Sequence, residues 1–217
     1  MKGLTPYQRA KGKPYAETFR CPGGALCLDL CNSGQGYRGP RAPEWIASFA
    51  DLVEWLEAGT VITPSQAARF RQAGAKAPAA AAAVWARAIR FRETLFRVLD
   101  AHARHRTAAR EDLAFIEAEY VRGKAFTRLA WNGDGYAWSL DPAASALEAV
   151  VQPIAESAVR LLASDKLGRL KRCGNPTCFW LFLDETRNRS RRWCEMASCG
   201  NRLKVRRHRE RARHHAH

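Results

Sequence analysis

Apolar positions recur along the chain at two spacings, and together these outline most of its elements. From Ala25 to Cys31 they alternate, so that Leu26, Leu28 and Leu30 would share one face of a strand and Cys27, Asp29 and Cys31 the other. The turn-forming run Asn32-Ser33-Gly34-Gln35-Gly36 would end it. Helical spacing then takes over. Ser48-x-x-Asp51 is a capping-box-like start, Phe49, Leu52, Val53 and Leu56 form an apolar stripe, and Gly59 stands at its end. Thr63-Pro64-Ser65-Gln66 opens a second helix that closes near Gly74. The longest helix is expected from residue 78 to 105, with Val84, Ala88, Phe91, Leu95 and Val98 on its core face. Another is expected over 108–122. The run Trp131-Asn132-Gly133-Asp134-Gly135-Tyr136 places a glycine-rich turn between aromatic flanks, a β-hairpin signal. Asp141-Pro142 would start a last helix carrying Leu147, Val151, Ile154, Ala158 and Leu161, with Gly168 at the boundary beyond it. Residues 1–20 show no periodicity and read as a loose basic arm.

The apolar fraction of 47% supports a packed core, and no apolar run is long enough to span a membrane. The N-terminal stretch lacks the apolar segment and cleavage site of a secretory signal, so the expected location is the cytoplasm. Charge changes the picture more. The formal net charge is +15, and residues 169–217 hold 14 Lys and Arg against only Asp184, Glu185, Glu195 and Glu210. Solubility does not require one sign gathered at one end, so a polyanion partner is expected.

Seven cysteines in a chain of this kind are poorly explained as disulfides. Four of them form two pairs, Cys173-x4-Cys178 and Cys194-x4-Cys199, separated by a spacer long enough for a hairpin. Structural Zn²⁺ takes four tetrahedral thiolate or imidazole ligands, and close pairs put two donors on one turn. Four thiolates leave no coordination position for water, which points to a structural rather than a catalytic Zn²⁺. Within the spacer, residues 179–183 favour a strand, 184–190 a turn, and Arg192-Trp193 leads back towards the metal. The competing view is four buried, unligated thiols. Trp180 and Trp193 fit the small core of a zinc module better than base stacking. Cys21, Cys27 and Cys31 lack a fourth partner and an iron–sulfur spacing, and a packed strand accounts for them. No nucleophile–base constellation emerges, so the protein is not expected to be an enzyme.

After Cys199 comes a polar stretch without Gly or Pro. Arg202, Arg206, Arg209 and Arg213 recur along it at helical spacing, with Lys204 and Arg207 widening the band. Arg187, Arg189, Arg191 and Arg192 form a second cluster upstream. The planar guanidinium fork suits phosphate, and charge alone does not separate DNA from RNA. The competing view is a solvated tail.

These residues carry a resemblance. Cys173-Gly174-Asn175-Pro176-Thr177-Cys178, Phe182-Leu183-Asp184, Arg191-Arg192-Trp193-Cys194-Glu195-Met196 and Cys199-Gly200-Asn201-Arg202-x-Lys204 together resemble the CGNR zinc-finger family. Bacterial members join this finger to an N-terminal domain called ABATE, described as a stress-induced transcription regulator. Leu28-Asp29-Leu30-Cys31-Asn32-Ser33 is similar to that domain's early strand, and Leu52-Val53-x-Trp55-Leu56 to its first helix.

The expected architecture is α+β. It comprises the arm at 1–20, a mostly helical ABATE-like domain with a small sheet at 21–166, and a treble-clef-like finger with a basic helix at 167–217. The lead expectation is a zinc-dependent, DNA-binding bacterial transcription regulator. Two alternatives stand beside it: an RNA- or ribosome-associated zinc protein, and a small-molecule binder or enzyme with a site near Asp29, Asn32 and Arg38. A small-molecule effector and self-association are both left open.

Overall fold

In a computed structural model of the protein, which describes residues 23–34, 44–201 and 204–205, the first alternating segment is a helix rather than a strand. This helix, α1 (Leu26–Ser33), buries every residue from Cys27 to Ser33. An element hidden on all sides shows no 3.6-residue stripe, so chance alternation of Leu and Cys mimics a strand. Its first turn is set by Asp29, whose Oδ1 accepts the Gly23 N–H at 2.9 Å. Cys27 and Cys31, one helical turn apart, are both buried free thiols.

The capped helices form as their signals predict. In α2 (Phe49–Ala58) the Ser48 side chain accepts the Asp51 N–H. In α3 (Pro64–Lys76) Thr63 and Gln66 make a reciprocal capping box. The 26-residue α4 (Pro78–Ala103) is the spine of the molecule, and its predicted stripe from Val84 to Val98 is buried. Helix α5 (Arg110–Lys124) crosses it, joined by an ion pair from Arg87 Nε to the buried Glu119 at 3.1 Å. The expected hairpin follows as β1 (Thr127–Trp131) and β2 (Tyr136–Leu140), antiparallel. Its turn closes with Asn132 Oδ1 accepting the Asp134 and Gly135 N–H groups, and Gly133 sits at φ +106°.

The last helix begins later than Asp141-Pro142 predicts. The Asp141 carboxylate accepts the Ala143 N–H at 2.8 Å, a local bond that holds a turn in place of a helix start. A 3₁₀ turn at Leu147–Val151 then leads into α6 (Gln152–Leu162). The second sheet is β3 (Leu170–Arg172) against β4 (Leu181–Leu183), antiparallel. Leu170, Leu181 and Leu183 are buried in the same core as α1, α2, α4 and α6. The architecture is thus α+β, and among the described residues no helix is long and apolar enough to cross a membrane.

Candidate metal centre and basic surface

The four clustered cysteines come from two loops that the second sheet brings together. Strands β3 and β4 enclose the first pair, and Cys173 N–H to the Trp180 carbonyl at 2.8 Å continues their ladder. Inside, the Asn175 carbonyl accepts the Cys178 N–H at 2.9 Å while its Oδ1 accepts from the Thr177 N–H and hydroxyl, which tightens the knuckle. Gly174 donates to the Arg192 carbonyl at 2.8 Å, stitching the first ligand loop to the second. A Cβ there would lie 3.0 Å from that same oxygen, so glycine allows the approach. Cys194 follows, and a single turn at Met196–Gly200 carries Cys199 inwards.

The predicted hairpin between the two pairs is corrected by this geometry. Residues 179–183 do not return through Arg192-Trp193 as a second strand. Strand β4 instead pairs backwards with β3, because all three of its side chains are buried and it lies between β3 and α1. After Cys199 the described residues Asn201, Lys204 and Val205 are helical, as a treble-clef arrangement requires.

All four sulfurs lie within 4.8 Å of one another, with Cys178 to Cys194 at 3.8 Å and Cys194 to Cys199 at 3.6 Å. Four thiolates at zinc–sulfur bond length on a tetrahedron would be about 3.8 Å apart, so the donor set and its spacing fit zinc. The Cys194 N–H points at Cys173 Sγ at 3.5 Å, the backbone support expected around a metal thiolate. Hydrogen bonds from Cys178 and Cys194 hold the Cys173 thiol below its usual range, while the contact with Cys173 pushes Cys194 up. A divalent cation bound by these sulfurs would take the place of their protons. Trp180 and Phe182 are buried beside the cysteines with Trp193 packed on them, the small core expected of the tryptophans.

Of the predicted basic residues, Arg187, Arg189 and Arg192 are exposed on the loop between β4 and Cys194, and Lys204 is exposed beyond it. Arg191 faces inwards. Its guanidinium donates to the Trp193 carbonyl at 3.0 Å, to that of Leu183 at 3.3 Å and to that of Cys194, and it stacks 4.3 Å from the Phe182 ring centre. Arg202, Arg206, Arg207, Arg209 and Arg213 lie outside the described residues. The loop is organised by Asp184, to which sequence analysis assigned no role. Its buried carboxylate accepts from Lys171 Nζ at 2.7 Å, from the Arg191 N–H at 2.9 Å and from the Thr186 N–H at 3.1 Å. Burial alone would raise its pKa, but these donors prevail and hold the carboxyl well below the usual range. Lys171 also donates to the Arg189 carbonyl.

Of the candidate ligand residues, the described Asp29 and Asn32 are both buried. Asn32 is fully buried, with Nδ2 donating to the Leu181 carbonyl and Oδ1 accepting the Leu181 N–H, both at 2.9 Å. Asp29 is engaged with Gly23, whose carbonyl in turn accepts the Leu183 N–H at 2.8 Å. Arg38 and Cys21 lie outside the described residues. At the end of α1, Arg92 donates to the Ser33 hydroxyl at 3.4 Å and reaches Glu44 with two hydrogen bonds of 2.7 and 2.6 Å. A cavity of about 490 Å³ is lined by Phe49, Arg71, Pro78, Ala81 and Trp85.

Comparison with known proteins agrees with this layout. A family model for the CGNR zinc finger matches residues 169–212. The model named ABATE, described as "Putative stress-induced transcription regulator", matches residues 24–165. Curated proteins contain no match to the chain.

Proposed function

Because the chain belongs to the ABATE family and carries a CGNR finger, we propose that it regulates transcription by binding DNA through that finger. The observation that carries this reading is the pairing of a zinc-compatible four-sulfur cluster with a loop that turns Arg187, Arg189 and Arg192 outwards. Zn²⁺ held by Cys173, Cys178, Cys194 and Cys199 supplies folding free energy and no chemistry of its own, since no ligand position is left for water. Asp184 and Lys171 then hold the arginine loop, and the exposed Lys204 adds a further cation. On this reading the protein is not an enzyme. Affinity comes mainly from phosphate contacts and falls steeply with salt.

The test is retention of fragmented genomic DNA and of total RNA by the purified protein across a salt series, with and without a zinc chelator. Zinc-dependent DNA retention with a steep salt slope is the expected result. Preference for structured RNA at matched salt would move the protein to an RNA-associated role. Tight DNA binding by a metal-free Cys194→Ser variant would overturn the mechanism.

A further inference from the structure

The β1–β2 hairpin has no third strand beside it among the described residues. Its register pairs Leu129 with Trp138 and Trp131 with Tyr136, so strand alternation puts these four side chains on one face. All are more than half exposed, at 58%, 53%, 62% and 73% in that order. The face continues onto the helices. Lys124 Nζ lies 5.5 Å from the Trp138 ring centre and 4.9 Å from that of Tyr120, which lines a groove of about 440 Å³ between α5 and α6. Leu113 and Val121 border that groove and are themselves 44% and 63% exposed.

We propose that this continuous face is a self-association surface that packs against the same face of a second copy of the chain about a two-fold axis. Area is the first argument. A covered aromatic ring buries roughly 150–250 Å², so the six exposed side chains together leave on the order of 600 Å² of apolar surface open. That reaches the top of the range for a monomer's largest patch, about 300–600 Å², and approaches the roughly 800 Å² each partner gives to a stable interface.

Charge is the second argument. Two chains of net charge +15 repel each other over most approaches. At this face the bordering Lys124 is neutralised within the chain, by its ion pair with Glu156 at 2.8 Å. Like copies therefore meet here without the penalty they incur at the finger. The same pairing disfavours a nucleic acid, whose phosphates need outward-facing cations. A two-stranded hairpin is marginal in water by itself, and a twin hairpin supplies the covering layer its apolar face lacks. A two-fold arrangement needs only one self-complementary patch.

This inference does not rest on DNA binding, and its test is read without nucleic acid. The full, metal-loaded chain is followed by sedimentation velocity from about 1 to 100 µM, in roughly 0.5 M salt to screen the net charge. The expected mass at the upper end is twice the 24.3 kDa of one chain, falling on dilution. A Trp131→Ser/Trp138→Ser variant should weaken association at least ~100-fold, given the usual share of interface energy held by buried aromatic side chains. Its helical circular dichroism should be unchanged, because both rings are outside the core. If that variant loses helical signal, Val121→Glu on α5 takes its place under the same criterion. A wild-type chain that stays monomeric at every concentration overturns the proposal, as does a folded variant that dimerises like the wild type.

Discussion

A carboxamide at position 32 can donate and accept at once, which is what the outward edge of β4 requires at Leu181. Both bonds are buried, so removing the side chain leaves a backbone N–H and a carbonyl without partners. Asn32→Ala should cost about 2–6 kcal/mol, at roughly 1–3 kcal/mol for each of the two stranded groups. Asn32→Asp should be at least as damaging, because it sets a carboxylate oxygen against the Leu181 carbonyl. Urea denaturation of both variants measures this, and a wild-type midpoint for the Asp variant would contradict it. Cys27 offers a second check. Burial pushes its thiol up to about 12, despite an opposing hydrogen bond from Ser157. Raising a thiol's pKa on folding adds stability that is fully present below the unfolded value near 8.5 and is lost as pH rises through the folded one. Native protein at pH 8 should therefore leave Cys27 unmodified by iodoacetamide, as mapped by mass spectrometry, with labelling only after unfolding. Stability should decline between about pH 9 and 12.

Among the elements, the loop between β4 and Cys194 links metal to surface charge. Asp184 gathers Lys171, Thr186 and Arg191 onto one carboxylate, and Arg191 ties the loop to carbonyls beside the ligand Cys194. Asp184→Asn removes the charge facing Lys171 and turns a donor towards the Arg191 N–H. Metal content should stay at one equivalent per chain, while nucleic-acid affinity falls by about tenfold, or roughly 1.4 kcal/mol. Metal analysis beside an anisotropy titration separates the two effects, and loss of metal together with affinity would show that Asp184 holds the centre itself. The Asp184 carboxyl sits below its usual range, so its contribution is present above the unfolded value near 4 and is lost as pH falls through the folded one.

For the whole molecule, the finger is not an appendage on a flexible tether. Leu170, Leu181 and Leu183 are part of the main core, Asn32 completes the edge of β4, and Arg172 reaches Asp100 of α4 at 3.1 Å. Zinc held by the four cysteines would therefore stabilise the helical part as well. A ligand present at a thousand times its dissociation constant stabilises the fold by about 4 kcal/mol. Chelation should lower the single melting transition of the chain and move helical ellipticity and tryptophan fluorescence together. Calorimetry that resolved two transitions, with the helical one unmoved by the chelator, would contradict the coupling.

Much of this was legible in the amino-acid order because the signals are local. The two cysteine pairs, the caps at Ser48 and Thr63, the stripe along α4 and the Asn132–Gly135 turn each act within a few residues. Helix α1 was not legible, since burial on every side erases the periodicity that would mark it. Nor was the division of labour among neighbouring arginines, with Arg191 turned into the finger and Arg187, Arg189 and Arg192 turned out. That depends on which carbonyls the folded loop presents. The sequence by itself determined the four-cysteine cluster, most helices and the aromatic hairpin. Only the tertiary structure decided that Asn32 serves a strand 149 positions away, because such a bond exists only after the core has brought both ends together.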